Sequence, residues 1–234
     1  MRFISLFAGI GGLDLGLERA GHTCVAQVEW DPYCQAVLRK HWPDVPKWSD
    51  ISDVSAGDLP AADLVVGGFP CQPVSYAGLR RLDADERWLW PEFARIVRMV
   101  GPRYVVVENV PGLLNGGLDE VLGGLAGMGF DAEWALLPAA DFGAPHYRER
   151  LYLVAYSNEV TGRQGLGDIG VGPRQVFAKD HRRRDELWVQ APYLVGRMDD
   201  GVPAGAYRHR VGALGNSVVP QVAEWIGHRL MEFS

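Results

Sequence analysis

Short apolar runs alternate with stretches of helical spacing over the first 155 residues. Phe3 to Phe7 predicts a buried strand, and Leu13 to Ala20 a helix entered through glycines. Cys24 to Val28 predicts a second strand ending at Glu29, and Pro32 to His41 a second helix. Leu64 to Val66 is a compact apolar strand closed by Gly67 and Gly68. Pro91 to Val100 has helical spacing, Tyr104 to Val107 is a run of β-formers, Val121 to Met128 suggests another helix, and Leu151 to Ala155 a late strand. Strands alternating with helices imply an α/β domain, a mostly parallel sheet with helices on both faces.

Residues 157 to 210 break this rhythm, with eight glycines and three prolines among 54 residues and no sustained period. A segment this small builds little core alone. It is expected to form a small irregular module beside a main domain made of residues 1–156 and 211–234. After it, Asn216 or Ser217 is expected to cap a terminal helix with Pro220 in its first turn. Val218, Val222, Ile226 and Leu230 lie four apart and would give that helix one apolar face.

Charge sharpens the division. The whole chain carries −6, which argues against a protein that simply coats nucleic acid. Residues 157 to 210 nevertheless hold nine Arg and Lys against seven Asp and Glu, with Arg182, Arg183 and Arg184 in one run. Such a run reads either as a solvated face or as a phosphate-binding patch. No apolar stretch approaches the roughly 18 residues of a membrane span, and the start resembles no signal peptide, so a cytoplasmic monomer is expected. Cys24, Cys34 and Cys71 are odd in number and lack C-x-x-C spacing. The histidines are scattered too, so no metal site is expected.

Four segments carry candidate chemistry. F-A-G-I-G-G, residues 7 to 12, follows strand one and opens helix one, where free N–H groups and glycines admit a ligand. Glu29 lies twenty residues beyond Gly9, where an acid can hold ribose hydroxyls. Asp14 replaces the third glycine of the dinucleotide fingerprint, so an adenosyl group fits better than a dinucleotide. The alternative is a glycine-rich connection with no ligand role. G-G-F-P-C-Q-P, residues 67 to 73, sets Cys71 in a proline-stiffened loop at a strand's carboxyl end. Cys24 and Cys34 read as packed thiols, whereas Cys71 reads as a nucleophile whose thiolate would attack. E-N-V-P-G-L places Glu108 at the next strand end, where it should meet the Cys71 loop or cap the following turn. P-H-Y-R-E-R-L-Y-L-V places Arg148 and Arg150 on one face of an extended segment before a strand, where by themselves they could be a solvated basic pair.

Taken together, FAGIGGLDLGLERAG, GGFPCQPVSYAG, ENVPGLL, HYRERLYLV and ALGNSVVPQVAEWI resemble, in order, the cofactor, nucleophile, glutamate, arginine and terminal motifs of cytosine-5 DNA methyltransferases. The resemblance implies a Rossmann-like sheet binding S-adenosylmethionine, with S-adenosylhomocysteine as product, and 157–210 as a small target-recognition region. It implies a double-stranded DNA substrate and a short stand-alone enzyme of bacterial or phage type. By similarity, Phe7, Gly9, Ile10, Gly12, Glu29, Trp30, Asp50, Ile51, Phe69, Leu89, Asn216, Ser217 and Val218 would surround the cofactor. Ser75, Arg182, Arg183 and Arg184 would meet DNA. Cys71 would add to carbon 6 of a flipped cytosine, Glu108 would act at N3, and Arg150, supported by Arg148, would brace the carbonyl and a phosphate.

His146 stands where the family usually has Gln, and the segment 197–203 replaces its usual R-L-Q-G stretch. Three other readings remain at this point: a transfer-RNA methyltransferase of the same family, a non-catalytic DNA-binding relative, and a dinucleotide oxidoreductase. The C-F-T tripeptide of the tRNA-acting members is absent, while Cys71 and Glu108, which a non-catalytic relative would lose, are present.

Overall fold

The apolar runs become strands β1 (Arg2–Leu6), β2 (Thr23–Val28), β3 (Lys47–Trp48), β4 (Leu64–Gly67), β5 (Tyr104–Asn109), β6 (Phe130–Pro138) and β7 (Glu149–Ser157). The structure is a computed structural model, and it describes residues 1–55, 57–70, 88–158 and 213–232. The strands form one sheet in the order β3-β2-β1-β4-β5-β7-β6. Pairings among the first five are parallel, and β7 runs antiparallel to both β5 and β6. The expected parallel sheet is therefore present, with an antiparallel pair at one side. Neither β3 nor β6 is among the strands expected from the sequence.

Helices α1 (Gly12–Arg19), α2 (Pro32–His41), α3 (Trp90–Val100), α4 (Leu118–Gly127) and α5 (Pro220–Glu232) fill the connections. α2 begins where its chemistry dictates: Asp31 accepts from the Cys34 N–H at 2.9 Å, and Pro32 stands at the first helical position. On one face, Val65, Val105, Val107 and Leu153 pack with Phe93 and Ile96 of α3 and Val121 and Leu125 of α4. On the other, Phe3, Val66, Val106 and Val154 pack with Leu13 and Leu17 of α1 and Val222, Ile226 and Leu230 of α5. Burial on both faces explains why the central strands read as continuous apolar runs instead of alternating ones.

The terminal helix differs from expectation at its start. It begins at Pro220, so Asn216 and Ser217 do not cap it, and Val218 precedes it. Residues 213–216 form a separate helical turn, and the Ser217 N–H bonds the Leu214 carbonyl at 3.2 Å. Proline cannot donate an N–H and is tolerated best at the first helical position, which fixes the boundary there.

α5 lies closely on α1 because glycines remove the side chains between them. A Cβ on Gly16 would stand 2.3 Å from the Pro220 carbonyl oxygen and 2.5 Å from the Ala223 Cβ, and one on Gly227 would stand 2.6 Å from the Ala20 Cβ. The His22 ring nitrogen Nε2 lies 3.0 Å from the Gly227 oxygen and completes the contact. Asp14, fully buried in the first turn of α1, accepts from Ser5 Oγ at 2.9 Å and Gln27 Nε2 at 2.7 Å. The residue that replaces the third glycine thus ties α1 to β1 and β2. Among the described residues no helix is long and apolar enough to cross a membrane, and no group of His, Cys, Asp and Glu could hold a metal.

Gly16→Ala is expected to destabilise the fold by about 1–3 kcal/mol through overpacking, outweighing alanine's helix preference. Gly123→Ala, at an exposed position of α4 where a Cβ meets nothing within 4 Å, is expected to be neutral or stabilising. Urea denaturation of both variants checks the contrast.

Candidate active site

Parallel pairing sends the carboxyl ends of β1, β2, β4 and β5 to one edge of the sheet, where open α/β folds place ligands. β7 runs the other way, so it begins at that edge, and residues just before and at its start face the same space.

The turn after β1 occupies strained backbone. Phe7 has φ 53° and Gly9 has φ 56°, and a Cβ on Gly9 would meet nothing within 4 Å. The turn therefore opens toward free space at Gly9, while Gly11 is filled from behind by the Trp42 ring, 2.4 Å from where its Cβ would be. Glu29, just past β2, accepts from the Gly9 N–H at 2.7 Å and the Asp31 N–H at 2.8 Å. Burial raises its pKa, and these backbone bonds pull it back. Trp30 is 81% exposed, an unusual place for an indole unless a ligand lies on it. Asp50 accepts from Ser52 N and Oγ at 2.9 and 2.7 Å, which holds its carboxyl below the usual range. Ile51 is buried, and Arg95 of α3 donates to its carbonyl at 2.7 Å. Ile10 is half-buried in the turn, and Leu89 precedes α3 and packs on the core.

The terminal stretch reaches this turn. A Cβ on Gly12 would stand 2.4 Å from the Val218 oxygen and 2.6 Å from Ser217 Oγ. Asn216 is in the adjoining turn and exposed. The structure thus brings Gly9 to Glu29 and Gly12 to Ser217 and Val218, as the sequence suggests. Phe69, expected near the cofactor, has its ring buried against Trp88, Trp90 and Phe93 at centroid distances of 5.2, 5.6 and 6.1 Å.

At the end of β5, Glu108 lies 3.4 Å from Arg150 Nε. Burial pushes its carboxyl up to about 7, opposed by the charges of Arg150 and then Arg148. Gly68 makes the approach feasible, since a Cβ there would stand 2.6 Å from Glu108 Oε2. Asn109 donates from Nδ2 to the Phe69 carbonyl at 3.2 Å, holding the chain that leads out of β4. Arg148 has φ 22° and donates from Nη1 to the Gly215 carbonyl, so the two arginines part toward different acceptors. Arg150 belongs to β7 itself, whose start at Glu149 precedes the Leu151 expected from the pattern.

Cys71, Ser75, Arg182, Arg183 and Arg184 lie outside the described residues. Cys24 and Cys34 are buried, and burial pushes both thiols up, Cys34 to about 12, as expected of packed thiols. Sequence reasoning passes over Gly68, Asn109, Arg95 and Gly215. For Gly68 and Asn109 a signal exists, since each stands inside a motif beside a residue already singled out.

An acid poised near neutrality beside a guanidinium, and an open glycine turn with a ribose-type acid and a free indole, can serve proton transfer and adenosyl binding at one edge. The family model for C-5 cytosine-specific DNA methylases matches residues 1–186. The type II methyltransferase M.HgiCII of Herpetosiphon aurantiacus is 38% identical over 165 residues, covering 68% of this chain and 38% of that protein. M.XorII of Xanthomonas oryzae pv. oryzae, also a type II methyltransferase, is 36% identical over 239 residues, covering 88% of this chain and 56% of its own. A crystal structure from an E. coli prophage, described as a DNA modification methyltransferase, superposes with TM-score 0.58 and 29% identity over 68% of this chain and 47% of that one. The chain spans about half the length of these relatives or less. With a match over most of its residues, the chain belongs to the C-5 cytosine-specific DNA methylase family.

Proposed function

We propose that this chain transfers a methyl group from S-adenosylmethionine to carbon 5 of a cytosine flipped out of duplex DNA. The observation that carries the reading is the partly buried Glu108–Arg150 pair on the same sheet edge as the Gly9–Glu29 turn. The residues present fit the cofactor: the space open at Gly9, the acid at Glu29 and the bare face of Trp30 suit a ribose and an adenine. Asp50, Ile51, Leu89 and the stretch Asn216 to Val218 would complete the enclosure. When bound, the sulfonium supplies an electrophilic methyl group.

Carbon 5 of cytosine is a poor nucleophile, and the residues would make it a better one. The Cys71 thiolate forms a bond to carbon 6, and the displaced electron pair moves through the ring toward carbon 5 and N3. Protonated Glu108 gives its proton to N3, so the ring carries no full negative charge. Arg150 faces the pyrimidine carbonyl and stabilises charge developing there. Once carbon 5 holds the methyl group, a base takes its proton, the carbon 6–sulfur bond breaks to return the thiolate, and N3 gives its proton back to Glu108. Flipping costs about a few kcal/mol of unstacking, which the site must recover through these contacts. Residues 157–210 would act as the target-recognition region on a main domain of residues 1–156 and 211–234, with Ser75 and the Arg182–Arg184 run on the DNA.

Cys71→Ser is expected to abolish methyl transfer while S-adenosylmethionine binding, measured by calorimetry, persists. Turnover equal to wild type in that variant ends the covalent mechanism, and methylation of transfer RNA with none of duplex DNA changes the substrate.

Glu108→Gln is expected to lower turnover about 10²–10⁴-fold. In the wild type, the Glu108-dependent limb should fall as pH rises through about 7, because the donor form is lost there. Stability follows the same group. Glu108 binds its proton in the folded chain up to about 7 but releases it near 4.5 when unfolded. Its contribution is thus intact below 4.5 and lost as pH rises to about 7. Thermal melting at pH 5 and pH 8 should therefore show Glu108→Gln gaining on the wild type by a few degrees at the higher pH.

Replacing Arg182, Arg183 and Arg184 with Gln is expected to make the salt dependence of DNA binding shallower by about one unit per phosphate contact removed. An unaltered slope returns the run to a solvated face.

A further inference from the structure

We propose that Arg148 is a positioning residue for the cofactor: through the Gly215 carbonyl it holds the terminal stretch 213–219 against the glycine turn. This deepens the reading of the edge as an S-adenosylmethionine site and rests on it. The motif alone makes Arg148 a helper of Arg150 on the base, and the geometry points elsewhere.

Four observations carry the assignment. Arg148 takes φ 22°, backbone that a non-glycine residue adopts only where its surroundings hold it. Its carbonyl accepts from the Ala139 N–H at 3.2 Å, which fixes that backbone to the turn before β7. Its guanidinium donates from Nη1 to the Gly215 carbonyl, 67 residues away in sequence, while Arg150 takes Glu108. Beyond Gly215, the Leu214–Ser217 turn leads directly to Ser217 and Val218, which lie over Gly12 so closely that a Cβ there would stand 2.6 and 2.4 Å from them.

The linkage is mechanical. Gly12 is the first residue of α1, and the turn that opens toward the cofactor ends on it. A stretch laid across Gly12 forms a wall of that turn, and beyond the 213–216 helical turn the stretch is irregular until Pro220 begins α5. Charge repulsion adds a reason for the split. Two neighbouring guanidiniums facing one carboxylate repel each other, and sending one to a backbone carbonyl relieves the conflict. Arg148 still contributes positive charge near Glu108, so the two halves of the site meet in one side chain.

The test is calorimetric binding of S-adenosylmethionine to the full chain with no DNA present, a condition in which a base- or phosphate-bracing arginine has nothing to hold. Arg148→Ala should weaken binding about tenfold, the usual size of a lost charged hydrogen bond. Arg150→Ala should change it less than twofold, and Arg148→Lys should recover part of the loss by restoring a donor. Arg148→Gly separates this effect from damage to the fold. Glycine accepts φ 22° without strain, so its melting temperature should stay near wild type while cofactor affinity falls as in the alanine variant. Wild-type affinity in Arg148→Gly overturns the proposal, as does an equal loss in the Arg150 variant. No binding by the wild type overturns instead the cofactor reading on which it rests.

Discussion

Burying a carboxyl group against guanidinium groups at the end of β5 sets the terms for everything around it. In water such a group is ionised at neutral pH and has no proton to donate. Burial pushes Glu108 up to about 7, and the two arginines keep it from rising further. A group balanced this way can both give and recover a proton at neutral pH. The balance depends on packing as much as on charge. Gly68 leaves room for the carboxyl directly against the backbone leaving β4, and any side chain there would push Glu108 away from Arg150. Asn109, next in sequence, bonds the Phe69 carbonyl, so the same strand end that presents the acid also holds the chain leading toward Cys71.

Strand direction explains why these groups meet. Parallel strands deliver their carboxyl ends to one edge, which gathers the glycine turn, Glu29, Gly68 and Glu108 from four separate parts of the chain. A sixth parallel strand beside β5 would place its carboxyl end there too, and its arginines would have to sit late in the strand. β7 reverses this: its first residues face Glu108, and Tyr152 stands opposite Glu108 in register, two residues after Arg150. An arginine motif that precedes its apolar run is the sequence counterpart of an antiparallel strand.

Legibility in the sequence tracks burial. β1, β4 and β5 are covered on both faces, so their apolar runs announce them. β6 is an edge strand with Trp134 and Leu136 left 45% and 37% exposed, and its mixture of acids, alanines and aromatics resembles neither a strand nor a helix by period. β3 is two residues long and exists only by pairing to β2. Asn216 and Ser217 look like caps because their side chains suit that role, but Pro220 decides where the helix begins. The site shows the same division. Glycines, the acids and Arg150 are legible because chemistry restricts the residue types that serve there. The partner of Arg148 is a backbone carbonyl 67 residues away, and a carbonyl carries no residue signature.

The return of the chain end to the beginning follows from the same constraint. A glycine turn that must stay open to a ligand has few side chains with which to brace itself, so its support has to come from outside. Beneath it, Asp14 binds Ser5 and Gln27 and ties the first turn of α1 to two strands. Behind it, Trp42 fills the space left at Gly11. Above Gly12, the Ser217 hydroxyl and the Val218 backbone close the remaining side, and α5 anchors that stretch by lying on Gly16. The supports from Trp42, from Ser217 and Val218, and from α5 each require a small residue, at 11, 12 and 16 in turn, while Gly9 answers a separate need. Of these four glycines only Gly9 leaves space unfilled, and that space is where the adenosyl group would enter.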